Sequence, residues 1–320
     1  MDILGKNAID VSVIMLTYNH EDYIAQAIES VLMQETSLRY ELIIGDDAST
    51  DRTPEIVREY ARKYPDIIRA VLREKNLGAN RNYLNIVSKQ FGRYTATLEG
   101  DDFWIDPQKM QKQYDFLEAH SEYIGCCSKC LVVNETGIPD YTKTPGFVWN
   151  KKVFTMEDYL TRWKVPGQAG SMMVRNYCLG ADAEDYAFTY QIHPMVGDKT
   201  WMLSHLSKGK IYCSNEILSA YRSVNKIGKS NYFSQHYANP YRNHDMFLYS
   251  CRLEDWARKN LGIYDEIGKQ QKKTRFCRFA EECVRELSAK RLWYLIEMLV
   301  HSHAPGKYAW YILKTLIEME

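Results

Sequence analysis

The sequence predicts an α/β protein: a mostly parallel sheet flanked by helices, continued by a helical C-terminal region. Three observations carry this expectation. Short apolar, β-rich runs alternate with helix-period patterns through the first hundred residues, each of the first four runs is followed by a polar segment, and from about residue 236 the pattern is helical to the end.

The elements follow in order. "VSVIML" (11 to 16) is a continuous apolar run of the buried-strand type, and Ile24, Ala27, Ile28, Val31 and Leu32 share one helix face at offsets 0, 3, 4, 7 and 8. Asn19 with Asp22 three residues on resembles a capping box for that helix. "YELIIG" (40 to 45) is the second strand, and Thr53 before Pro54 predicts the cap of a second helix with Ile56, Val57, Tyr60, Ala61 and Tyr64 on one side. "IIRAVL" (67 to 72), a helix over 79 to 90 and "YTATL" (94 to 98) complete the alternation, which implies parallel strands with right-handed crossovers. A helix from Pro107 to about 119 and the strand-like "YIGCCSKCLVVNETG" come next. Residues 140 to 175 read as loops around a short helix and a strand near "GSMMVRN". "GDKTWMLSHLSKG" (197 to 209) reads as a helix ending at Gly209, followed by strand-like "KIYCS" and "ILSAYR".

Composition excludes several classes. Forty-one basic residues balance 41 acidic ones, which argues against a nucleic-acid binder that relies on a large basic field. "MDILGKNAIDVSVIML" has no basic n-region, long apolar core or small-residue cleavage site, so no export signal is expected. "LWYLIEMLV" (292 to 300) is interrupted by Glu297 and falls well short of the roughly 20 residues that span a bilayer. "CCSKC" (126 to 130) lacks a second Cys/His pair at zinc-finger spacing and sits in an apolar run, so buried free thiols in a reducing cytoplasm are expected.

The C-terminal ends of parallel strands lie on one edge of a sheet, where open α/β folds bind ligands. There the chain places "TYNHED" (17 to 22), "DDASTD" (46 to 51), "REKNLGANRN" (73 to 82) and "EGDD" (99 to 102). Four segments thus deliver Tyr18, Asp47, Asn76, Arg81, Asp101 and Asp102 to one crevice. No glycine-rich turn and no GxxxxGK[ST] follows the first strand, so dinucleotide and P-loop chemistries fall away. Glu99, Asp101 and Asp102 repel one another unless a cation or donors neutralise them. Acids in place of phosphate-cradling glycines hold a phosphate only through a divalent cation, and hard oxygen ligands suit Mg²⁺ or Mn²⁺.

"VSVIMLTYNHEDYIAQAIESVLMQ", "YELIIGDDASTDRT", "NLGANRN", "LEGDDFWIDPQKMQKQYDFLE" and "GDKTWMLSHLSKGKIYCSNEILSAYR" resemble, in order and spacing, the motifs of family 2 glycosyltransferases with the GT-A fold, whose sheet is Rossmann-like. The likeness covers about residues 10 to 225. It implies a GT-A nucleotide-sugar-binding and catalytic domain over 1–225 and a helical C-terminal region over 226–320. Thr17, Tyr18 and Asn19 are then nucleotide-binding, with Tyr18 against the base and Asp47 accepting from a uracil-type imide, while Asn76 and Arg81 line the same site. Asp101 and Asp102 serve the ribose and the metal, Glu99 stands where many members carry another Asp, and Asp198 in "GDKTW" is the catalytic base. Many relatives have Glu-Asp there, so Gly197 leaves one carboxylate for the role. Arg222 in "AYRSVN" stands where relatives have Tyr-Arg-x-His near the diphosphate, with Val224 in place of that His.

The implied function is inverting, metal-dependent transfer of a hexosyl or N-acetylhexosaminyl group from a nucleoside diphosphate sugar, UDP-linked, to a saccharide or lipid-linked oligosaccharide in surface-polysaccharide synthesis. A glycosidase would use two carboxylates and no metal. A nucleotidyltransferase would need a basic triphosphate loop after the first strand, and the non-enzymatic alternative is a degenerate nucleotide-sugar-binding or scaffold subunit acting through its helical tail. Several residues have plainer readings. Asp198 at a helix start suits N-terminal capping and the dipole, the 46 to 50 segment suits a turn, and Arg81 suits a solvated helix face. His193, His205 and His236 show no ligand spacing. "KQQKKTRFCRF" (269 to 279) and the aromatics Trp293, Tyr294, Trp310 and Tyr311 suit either an anionic membrane surface at the inner face of the membrane or packing on the catalytic domain or on a second copy in a homodimer.

Overall fold

The computed structural model describes residues 8–143, 149–179, 183–193, 197–224 and 239–318; His236 lies outside them. The chain forms two units, residues 1–155 with 165–229, and residues 156–164 with 230–320. Segment 156–164 therefore groups with the C-terminal helices, which a single cut at 225 does not capture.

The first unit opens with β1 (Val11–Thr17), α1 (Ile24–Leu32), β2 (Tyr40–Asp46), α2 (Thr53–Lys63), β3 (Ile68–Leu72), α3 (Ala79–Val87) and β4 (Tyr94–Glu99). β1 pairs in parallel with both β2 and β4, and β2 pairs with β3. Successive side chains of a strand point to opposite faces, and both faces are buried here, which is why these strands read as unbroken apolar runs. Val11, Val13, Met15, Leu42 and Ile44 pack with Ile24, Ile28, Val31 and Val57 on one face. Ile14 and Ile43 pack with Leu84, Ile86, Val87 and Trp201 on the other.

The two expected caps are not formed. α1 and α2 start without a side-chain cap bond. Asn19 instead takes a positive φ of 54°, and its Oδ1 accepts from Thr50 N at 2.8 Å, while Thr53 Oγ1 accepts from His20 N at 2.8 Å. Both side chains tie the loop after β1 to the loop after β2 rather than ending a helix.

Beyond β4 the sheet becomes mixed. β5 (Phe103–Trp104), α4 (Lys109–Ala119), β6 (Tyr123–Val133), β7 (Val153–Phe154), α5 (Met156–Arg162), β8 (Met172–Arg175), α6 (Phe188–Ile192), α7 (Asp198–Leu206) and β9 (Lys210–Arg222) follow. Among the described residues the strand order is β3-β2-β1-β4-β8-β6-β9-β5, with β7 also on β9. β8 runs antiparallel between β4 and β6. "KIYCS" and "ILSAYR" form the single strand β9, whose register against β6 shifts between Cys127 and Cys130. β2 and β3 lie on one side of β1 and β4 on the other, so the crossover direction reverses between β1 and β4. The carboxyl ends of those two strands border a switch-point crevice.

The second unit joins α5 to α8 (Arg242–Leu261), α9 (Lys269–Arg285), α10 (Ala289–His301) and α11 (Pro305–Glu318). Phe247, Phe276, Phe279, Leu295, Met298 and Tyr308 form its core. Gly268 has φ 61°, and an added Cβ would lie 2.6 Å from Trp163 Cβ, so this turn accepts no side chain. Lys272 is buried and its Nζ donates to both Glu254 oxygens at 2.7 Å. All eight cysteines are unpaired, seven of them buried, and among the described residues no helix is long and apolar enough to cross a membrane.

Candidate active site

The crevice at the ends of β1 and β4 holds three carboxylates. Glu99, Asp101 and Asp102 each bring an oxygen within 4.8 Å of the others. Gly100 makes the turn possible: its N donates to Leu16 O at 2.7 Å, and a Cβ there would lie 2.8 Å from Thr17 Cβ. Crowding changes how the acids hold protons. Burial, then the charges of Asp101 and Asp198, push the Glu99 carboxyl up to about 8. Burial, Asp101 and Glu99 also raise Asp102 well above the usual carboxylate range, against the lowering effect of the Arg222 backbone bond and charge. Burial and the same three acids raise the Tyr221 phenol, which places Tyr221 beside the cluster.

Asp102 is the fixed member of the three. Its Oδ1 accepts from Arg222 N at 2.8 Å and its Oδ2 from Gln168 Nε2 at 2.5 Å. Gln168 is itself buried, and its Oε1 accepts from Gly170 N at 2.6 Å, which sets the amide orientation. The turn that carries it is tethered from below. Trp104 Nε1 donates to Gly170 O at 2.9 Å and Gln113 Nε2 to Ser171 O at 2.9 Å. Lys109 Nζ donates to Gln113 Oε1 at 2.7 Å and lies 4.2 Å from the Trp104 ring, and burial pushes its amine down to about 7.

The Arg222 guanidinium is already engaged. Nε donates to Asp101 O at 2.8 Å, Nη1 to Glu135 O at 2.7 Å and Nη2 to Gln26 Oε1 at 2.6 Å, with Tyr23 and Phe103 rings 4.7 and 5.3 Å from Cζ. A diphosphate contact by this side chain would require releasing those bonds. Its visible part is to hold the Asp101–Asp102 backbone and side chain in place.

The remaining predicted residues divide. Thr17 is buried with Oγ1 3.3 Å from His20 Nδ1, and His20 Nε2 lies 3.8 Å from Asp101 Oδ2, so the loop after β1 touches the acid cluster. Tyr18 and Asn19 are half-buried beside it. Asp47 is buried, and its two oxygens accept from Leu77 N and Gly78 N at 2.8 Å each, while Asn76 Nδ2 donates to Asp47 O at 3.0 Å. Asp47 therefore organises the 76–78 loop, and contact with a base would use its remaining lone pairs. Asp46 is a turn residue that accepts from Ser49 N and Oγ. Arg81 is exposed and lies 4.6 Å from the Tyr190 ring.

Asp198 is the first residue of α7, which has no side-chain cap bond. The residue is exposed, and desolvation still raises its pKa, against the lowering by its own backbone N–H and Lys199. Its charge contributes to the Glu99 shift, so the lone acid lies within electrostatic reach of the cluster. The glycine before it has a structural reason. A Cβ on Gly197 would lie 2.3 Å from Asn80 Oδ1, and Asn80 is pinned by its bond to His193 O at 2.8 Å.

A mixed sheet with clustered acids at its switch point and a further acid at the start of a following helix fits the GT-A arrangement. Residues 12–177 match the model of glycosyl transferase family 2. The chain belongs to that family. It is 32% identical over 230 residues, 69% of this chain and 82% of the relative, to TuaG of Bacillus subtilis, described as a putative teichuronic acid biosynthesis glycosyltransferase. It is 40% identical over 141 residues to an uncharacterized protein of Mycobacterium tuberculosis, a match that covers 44% of this chain and only 40% of that relative's length. In fold it is similar to S. aureus TarS 1-349 in complex with UDP-GlcNAc, at TM-score 0.62 and 16% identity over 95% of this chain and 82% of TarS.

Proposed function

We propose that the protein is an inverting, cation-dependent glycosyltransferase that moves a hexosyl or N-acetylhexosaminyl group from a UDP-sugar to a saccharide or lipid-linked oligosaccharide in the cytoplasm, in surface-polysaccharide synthesis. The observation that carries this reading is the meeting of Glu99, Asp101 and Asp102 within 4.8 Å at the switch point, with the Asp198 charge added from α7. TuaG's teichuronic acid role and the UDP and UDP-GlcNAc complexes of TarS support the donor and acceptor classes.

The residues fit a divalent cation: three hard oxygen donors lie within 4.8 Å of one another, burial and the neighbouring acids raise the proton affinity of Glu99 and Asp102, and Asp102 keeps free lone pairs beyond its two bonds. Asp102, with Asp101, would hold Mn²⁺ or Mg²⁺. When bound, that ion neutralises charge on the departing diphosphate. Tyr18 lies against the base, Asp47 meets its imide, Asp101 also meets the ribose, and Thr17, Asn19, Asn76 and Arg81 line the nucleotide. Asp198 takes the proton of the acceptor hydroxyl as that oxygen attacks the anomeric carbon from the face opposite the diphosphate. Its raised pKa and solvent access suit a base that must receive a substrate. Arg222 acts by holding Asp102.

A panel of nucleotide sugars with Mn²⁺ or Mg²⁺, assayed for binding and for slow hydrolysis, tests this. Asp102→Asn is expected to weaken cation-dependent nucleotide binding, and Asp198→Asn to keep binding and lose transfer. Wild type that binds no nucleotide sugar with either cation would sink the proposal. Binding without any turnover, unaffected by Asp198→Asn, would favour a degenerate binding subunit.

A further inference from the structure

The C-terminal unit carries an apolar face that its own core does not use. On α10 the buried Leu295 and Met298 face the helical core, while Leu292, Trp293, Ile296 and Val300 recur at offsets 0, 1, 4 and 8 on the opposite side and are exposed, Trp293 by 65% and Val300 by 72%. α11 repeats the arrangement, with Tyr308 buried and Trp310 and Leu313 exposed. α10 and α11 pack against each other. Clustered exposed apolar side chains mark an interaction site.

We propose that this face docks on the surface of an anionic lipid bilayer, with α10 and α11 lying in its interfacial plane. The two largest exposed rings are tryptophans, whose amphipathic indoles favour the headgroup level. The charge is complementary: α10 and α11 hold Lys290, Arg291, Lys307 and Lys314 against Glu297 and Glu318. Lys290 and Lys314 stand on the two helices that carry the apolar face, Lys290 exposed with its Nζ 4.6 Å from the Tyr241 ring and Lys314 with its Nζ 5.9 Å from the Trp310 ring, so cations border the apolar side chains. A second copy is disfavoured because an isologous contact would bring the lysines that border this face together. No described helix can span the bilayer, so the contact is a peripheral one. The inference does not depend on the nucleotide-sugar reading, although it would bring the chain to where a lipid-linked acceptor resides.

The test uses the full chain, sedimented with vesicles of mixed phosphatidylglycerol and phosphatidylcholine and with phosphatidylcholine alone. Wild type is expected to bind the mixed vesicles, to bind the neutral ones far less, to be released by added salt, and to show a blue shift of tryptophan emission on binding. Ile296→Glu with Val300→Glu, both on the outer face, is expected to lower the partition coefficient about tenfold or more with an unchanged melting temperature. Trp293→Ala with Trp310→Ala removes apolar area without adding charge and is expected to act in the same direction, which covers the case in which the charged pair fails to fold. Absence of binding to anionic vesicles, or undiminished binding by the variants, overturns the proposal. So does a lipid-free dimer that the Ile296 and Val300 substitutions dissociate, since that assigns the face to a second copy.

Discussion

Gln168 Nε2 donates to Asp102 Oδ2 across 66 positions of sequence, and its own Oε1 is held by Gly170 N, so the amide has one orientation. A hydrogen bond to a charged group contributes about 1.5–3 kcal/mol. Gln168→Leu is therefore expected to weaken Mn²⁺ affinity of the free protein roughly ten- to a hundredfold by titration calorimetry. Gln168→Glu, close in shape but unable to donate to Asp102 when ionised, is expected to lose the same support. Unchanged affinity in both variants would show that Asp102 needs no such support.

Gly197 invites the restoration of a second acid before Asp198, and the geometry opposes it. A side chain there meets Asn80 Oδ1 at 2.3 Å, and Asn80 cannot yield without giving up His193 O. Gly197→Ala is expected to destabilise by about 1–3 kcal/mol in urea denaturation. Adding Asn80→Gly should recover the overpacking part of that loss. A Gly197→Ala protein as stable as wild type would disprove the clash.

His205 carries an acid sensitivity. Burial pushes its imidazole down to about 4 from the ordinary 6.5. The unfolded chain then binds a proton that the folded chain refuses between those values, so stability is full above pH 6.5 and falls as the pH drops toward 4. The complete loss is about 3 kcal/mol, at roughly 1.4 kcal/mol per pH unit. His205→Asn is expected to flatten the urea midpoint between about pH 7 and pH 4.5. An unaltered pH slope in that variant would place the sensitivity elsewhere.

In the C-terminal unit Lys272 and Glu254 form a buried pair. Removing one partner leaves the other charge uncompensated, and Lys272→Met is expected to cost about 3–5 kcal/mol. Lys272→Met with Glu254→Gln keeps an acceptor for Ile267 N and removes the stranded charge, so it should regain most of that stability. Equal losses in the single and double variants, compared by urea midpoints, would contradict this account.

What the sequence disclosed follows from how far each signal reaches. The strands β1 and β2 are legible because burial on both faces leaves no room for a polar residue in the run, and that is a local constraint. The caps at Asn19 and Thr53 misled because their oxygens serve a neighbouring loop about 30 positions away, which no local pattern reports. The acids after β4 announce themselves by their density. Gln168, in "PGQAGS", carries no signal at all: it reaches Asp102 because β8 inserts between β4 and β6. Arg222 is visible as a basic residue near the end of a strand, but its direction is not, since its acceptors include the backbone carbonyls of residues 101 and 135 and the Gln26 amide, all far along the chain. The departure at Gly197 could be read from the chain, while its cause at Asn80 required three dimensions.

The two donors to Asp102 stand 66 and 120 positions beyond it along the chain. During synthesis β1 to β4 can pair before either donor leaves the ribosome, and the Asp102 carboxylate then sits on a formed sheet edge without its two donors. The last strand of the sheet to be made, β9, ends on the residue whose backbone N–H completes the carboxylate's support. The support of Asp102 is thereby completed only when β9 is made, and a chain stalled before residue 222 would keep its acids yet lack the donor that fixes Asp102.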